Sequence, residues 1–124
     1  MKKNKINLPT KRNSERFDLL FPMIKSDLNE IRELSKKKQD EPLNAFKVRT
    51  VNKKLEEIKL ILAEQPTVEF LELLDTDTLP TNSDAVLLVS QYINAMEIFL
   101  ETYFTNDGGE GNNWSFNKFW KTKD

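Results

Sequence analysis

An all-α fold is predicted: an antiparallel bundle of three long helices plus one short helix, with a C-terminal aromatic tail. Three observations predict it. Glycine occurs only at positions 108, 109 and 111, while Leu, Lys and Glu are abundant, a balance that favours helix over sheet. Apolar residues recur at helical spacing in two long upstream stretches. Fourteen of the twenty residues from Ala85 to Phe104 are apolar, and the interior polar residues Ser90, Asn94, Glu97 and Glu101 are spaced by 4, 3 and 4. At helical pitch those four make one narrow wet stripe. This segment is therefore expected to be the central helix, covered on nearly all sides by the others. Its length would also span a bilayer. A carboxylate near bilayer centre costs at least about 2.5–3.5 kcal/mol, however, so no membrane partner is expected.

The elements follow in order. Residues 1–13 carry Lys2, Lys3, Lys5, Lys11 and Arg12 and no acid. Pro9 discourages helix, so a basic flexible arm is expected. Ser14 is a credible N-cap, with Glu15 in the first turn. Phe17, Leu20, Phe21, Ile24, Leu28, Ile31 and Leu34 then share one face of a first helix over residues 15–38. Pro22 removes one backbone donor inside it, which predicts a kink or a fresh start there. The turn holding Lys36, Lys37 and Lys38 leads to Pro42, a natural start for a second helix over residues 42–65 that stops before Pro66. Its seam is Val48, Val51, Leu55, Ile58 and Leu62. Phe46 and Leu60 lie roughly 160° from that seam. Either another segment covers them, the expectation for large apolar residues, or they form a partner patch.

Thr67 can cap a short helix over residues 67–74, packed as a fourth, incomplete element. Thr81 and Asp84 have capping-box spacing, with Ser83 a competing cap, for the central helix over residues 83–105. Residues 14–105 are thus the bundle domain, and 106–124 are a glycine linker and tail. Trp114, Phe116, Phe119 and Trp120 fall within seven residues of that tail, and the last three share a helical face. Such aromatics rarely stay wet. The tail either folds back on its own bundle, the favoured outcome over a short linker, or docks on a partner.

At 124 residues the chain is one domain, long enough to bury a core without a metal or disulfide. It has no cysteine and no histidine. This removes thiolate zinc sites, cysteine nucleophiles and the commonest general base. No apolar leader follows Met1, so the cytoplasm is the expected compartment. Asp75 and Asp77 fail the calcium-loop pattern, since Pro80 and Val86 stand where Gly and Glu are needed. No phosphate-binding or nucleophile-elbow motif occurs. No cofactor and no metal are expected.

Charge is uneven. Residues 1–54 hold fifteen Lys+Arg and seven Asp+Glu, and residues 55–124 hold four and thirteen, giving +8 and −9. The two halves either neutralise each other within the bundle or form a polar molecule with two binding faces. The function that fits is a non-enzymatic protein-interaction module of the adaptor, antitoxin or immunity type, binding another protein or a second copy. One alternative is a nucleic-acid-associated protein using the basic arm Lys2, Lys3, Lys5, Lys11 and Arg12. A second is a magnesium-dependent all-α nucleotide hydrolase, for which Glu97 and Glu101 are the best-placed carboxylates. No catalytic residue is assigned. The candidate partner-binding residues are Trp114, Phe116, Phe119, Trp120, Phe46 and Leu60.

Overall fold

A computed structural model describes residues 8–106 and 118–124. The chain is mostly helical. Three helices, α1 (Lys11–Lys38), α2 (Ala45–Ile61) and α3 (Asn82–Tyr103), are joined by a 3-10 helix (Pro66–Phe70) and followed by strands β1 (Phe104–Asn106) and β2 (Lys118–Trp120). Contacts among the helices fit a bundle, with α1 packed on both α2 and α3.

Helix α1 begins four residues earlier than a cap at Ser14 implies. The Thr10 hydroxyl accepts the Asn13 amide at 3.0 Å and is the true N-cap, while Ser14 Oγ donates to the Lys11 carbonyl at 2.8 Å from inside the helix. Lys11 and Arg12 are therefore helical residues, and Lys2, Lys3 and Lys5 lie outside the described residues. The helix runs unbroken through Pro22, which sits on its exposed side. There, water can satisfy the Asp18 carbonyl that the missing N–H leaves free. Phe17, Leu20, Ile24, Leu28 and Ile31 are buried, as their spacing predicts.

Helix α2 is shorter than expected. It starts at Ala45 rather than Pro42, and Asn44 caps it, accepting the Lys47 amide at 2.8 Å. Pro42 stays extended and bridges Thr81. Leu43 N–H donates to the Pro80 carbonyl, and Asn82 N–H to the Glu41 carbonyl, both at 2.8 Å. These bonds stitch the first turn to the start of α3, where Thr81 caps by accepting the Asp84 amide at 3.1 Å. The whole seam Val48, Val51, Leu55, Ile58 and Leu62 is buried.

The central helix departs from its expected facing. Ala85, Val89, Tyr92, Met96, Phe99 and Tyr103 are buried and define a single inward stripe. The opposite stripe, Leu87, Gln91, Asn94, Ile98 and Glu101, is exposed, with Leu87 62% and Ile98 50% accessible. The wet side is thus wider than the four polar residues suggested. An apolar run of this density does not by itself say which of its residues face inward.

The expected short helix over 67–74 is also different. The 3-10 helix buries none of its residues. After it residues 71–75 form neither helix nor strand; Leu71 has extended backbone, and Leu71 and Leu74 are buried. Side chains from two helices hold this strap by its backbone. From α2, Asn52 Nδ2 donates to the Leu74 carbonyl and Asn52 Oδ1 accepts the Leu74 amide, both at 2.9 Å. Lys59 Nζ donates to the Leu71 carbonyl at 2.9 Å, and from α3 the Tyr92 hydroxyl donates to the Glu72 carbonyl at 2.7 Å. Because these groups satisfy the backbone, the segment does not need a helical ladder. Burial, and then the Glu72 carboxylate, push the Tyr92 pKa above its ordinary value, so the phenol remains a donor. Asn52→Ala is expected to cost about 2 kcal/mol, because it orphans both backbone groups of Leu74. Urea titration measures the loss, and hydrogen exchange at the Leu74 amide should accelerate with it.

The described part of the tail packs on its own bundle. Strand β2 pairs antiparallel with β1, setting Phe104 opposite Trp120 and Thr105 opposite Phe119. The helical grouping of Phe119 with Trp120 does not form, because successive residues in a strand face opposite ways. Trp120 turns inward against Phe17, Phe99 and Phe104, with ring centroids 5.0, 5.9 and 5.3 Å away. Its indole N–H reaches both carboxylate oxygens of Asp18 at 3.2 Å. Beyond it, Lys121 N–H donates to the Tyr103 carbonyl at 2.7 Å and Lys123 N–H to the Pro9 carbonyl at 2.9 Å. The Asp124 carboxylate accepts the Lys11 amide at 2.7 Å, a favourable charge for a helix N-terminus.

Candidate docking surfaces

The residues singled out from sequence separate into three groups. Trp114 and Phe116 lie outside the described residues. Trp120 is half-buried and belongs to the fold, while Phe119 on the other side of β2 is 45% exposed. Phe46 and Leu60 are 68% and 65% exposed. The expectation that the next connection or the tail covers them is corrected: the connection packs on the Asn52 and Lys59 side of α2, and the described tail packs on Phe17 and Phe99. The two do not share one pocket. Leu60 lines a crevice with Leu8, Pro9 and Phe99 near the start of α1. Phe46 stands at the other end of α2.

Phe46 forms one wall of an open groove of about 540 Å³, lined also by Arg49, Thr50, Lys53, Glu56 and Thr76. On its other side it borders a cleft between α1 and α2 containing Asp27, Glu30 and Lys47. The cations of α2 divide accordingly. Lys47 Nζ lies 2.8 Å from Glu30 and Lys54 Nζ lies 2.9 Å from Asp27. Arg49 and Lys53 are exposed beside Phe46.

A second groove was not anticipated. The exposed stripe of α3 and the 3-10 helix enclose about 460 Å³, lined by Thr67, Phe70, Gln91, Asn94, Ala95 and Ile98. Phe70 is 75% exposed, the most accessible large apolar side chain among the described residues. The signal for this groove was present in the sequence as Phe70, Leu87 and Ile98. It was masked by assigning the first to a packed helix and the others to a buried one.

Charge separates the two grooves. No Lys or Arg occurs from residue 60 to residue 117, while ten Asp and Glu do. Glu69 adjoins Phe70, and Glu97 and Glu101 flank Ile98 on the exposed surface. Among the described residues six ion pairs form, and only Arg16–Glu57 joins the basic half to the acidic half. None of the six involves α3. Pairing between the halves is therefore not how the charge excess on α3 is met.

Two further carboxylates have local partners. Asp75 Oδ1 accepts the Asp77 and Thr78 amides at 2.8 and 2.9 Å, and these bonds, that from Thr78 foremost, lower its pKa. Glu33 pairs with Lys36. Among the described residues no three metal-ligating side chains cluster, and no helix is long and apolar enough to cross a membrane. No protein-family model, no curated protein and no solved structure matches the chain.

Proposed function

We propose that the protein is a non-enzymatic helical interaction module that docks a partner protein on the groove between Phe70 and Ile98. One observation carries this reading: exposed large apolar side chains line a groove, the exposed acids Glu69 and Glu97 are their sequence neighbours, and helix α3 enters no ion pair among the described residues. Apolar anchors with charge beside them are the composition of a docking site rather than of an inert surface. The scaffold behind it is read as an antiparallel bundle. Its support is the order of the ion pairs, in which Glu30, Asp27 and Arg16 of α1 meet Lys47, Lys54 and Glu57 of α2. The strap takes the place expected for a fourth helix.

The partner expected is basic and amphipathic, because carboxylates beside the anchors steer cations and penalise acids. Affinity capture from the native host tests this with two baits, the natural chain and Ile98→Lys. A protein retained by the first and lost with the second supports the reading. Equal recovery on both baits removes it. The substitution is at an exposed position, so the fold is expected to survive it.

A further inference from the structure

We infer that the groove between Phe70 and Ile98 accepts the Phe46 edge of a second copy of this chain. The inference rests on the proposed docking role of that groove and adds its occupant. The chain carries both members of a complementary pair. One is an apolar projection, Phe46, 68% exposed, with the exposed cations Arg49 and Lys53 one and two turns along the same helix. The other is a groove walled by Phe70 and Ile98, with exposed Glu69 next to Phe70 in the chain, and exposed Glu97 and Glu101 next to Ile98 and one turn after it. A phenyl ring entering between Phe70 and Ile98 would carry the guanidinium and ammonium groups toward those carboxylates. Two copies of the Phe46 edge, or two copies of the acidic groove, would instead bring like charges together.

Projection and groove lie on different elements, so the contact is isologous when two copies exchange it reciprocally and heterologous when it is passed on to a third. It closes if each copy serves the other reciprocally and otherwise continues as a chain of copies. One such contact is smaller than a standard stable interface of about 1,200–2,000 Å², so the association is weak and depends on concentration and salt.

Sedimentation velocity of the full chain over a concentration series tests it. At about 50 mM salt the chain is expected to associate, with an apparent Kd raised roughly tenfold or more at about 500 mM, where screening shortens the reach of exposed charges. Phe46→Glu and Ile98→Lys should each weaken self-association by about tenfold or more, with melting temperatures close to that of the natural chain. Phe46→Ala and Ile98→Ala, milder changes at the same positions, should act in the same direction.

Mixing supplies the decisive arm. The Phe46→Glu chain retains its groove and the Ile98→Lys chain retains its projection, so the two together should form a one-to-one pair that neither forms alone. A natural chain that stays monomeric at low salt overturns the inference, as does a mixture that fails to pair. A synthetic amphipathic Lys–Leu helix separates this failure from failure of the groove itself. If that peptide binds the monomeric natural chain but not Ile98→Lys, the groove is a docking site and its occupant is another protein. If it binds neither, both readings fall.

Discussion

Phe17→Ala is expected to lower stability by about 3–5 kcal/mol, the range for removing a buried phenylalanine ring. Phe17 is buried, and its ring lies 4.9 Å from Phe21, 5.6 Å from Phe99 and 5.0 Å from Trp120. It therefore joins α1 to α3 and to the strand that follows the glycine-rich stretch. The loss would appear in urea titration as a lower midpoint at nearly unchanged slope, since the fold buried on either side of the substitution is the same. A double-mutant cycle with Trp120→Ala adds a sharper test. Aromatic pairs couple by about 0.5–1.5 kcal/mol beyond their area, so the two losses should not add. Full additivity would mean that Trp120 is not seated on Phe17 in solution, and the packing of the tail would have to be abandoned.

Long periodic stretches were legible, and short or uniformly apolar ones were not. The α2 seam from Val48 to Leu62 is buried as its spacing predicts, and so are Phe17, Leu20, Ile24, Leu28 and Ile31 of the α1 face, with Phe21 and Leu34 half-buried at its edges, because a repeat over many turns leaves only one face to bury. Residues 67–74 contain too few turns to tell helix from an extended run. What decides there is tertiary: the Asn52 amide and the Tyr92 hydroxyl bind the strap backbone. Nothing in the spacing of Leu71, Leu73 and Leu74 announces a partner twenty residues away. The tail failed in the same way. Phe116, Phe119 and Trp120 have helical spacing, but residues 118–120 find an open strand edge at 104–106. The candidate surfaces were legible in part. Phe46 and Leu60 were identified by their angle from the seam, whereas Ile98 was hidden in a run where every residue looked buried. The charge imbalance was visible in composition, but its arrangement, with α3 outside all the ion pairs among the described residues, needed the fold.

Leu55→Ala is expected to cost about 2–5 kcal/mol, whereas Phe46→Ala, a larger truncation on the same helix, should cost well under 1 kcal/mol. Leu55 has no accessible surface and sits at the middle of the α2 seam, so truncation leaves a cavity lined by residues of a packed core. Phe46 is 68% exposed, one residue inside the α2 N-terminus, and its removal leaves mainly solvent behind. The helix cap is untouched, because the Asn44 side chain and the Lys47 amide form it. Denaturant titration of the two variants separates two roles carried by one helix. The inward stripe holds the fold, and the outward phenylalanine lies outside the core. Comparable losses at the two positions would mean that Phe46 is covered in solution by part of its own chain, and its role as a projection toward another molecule would then fail.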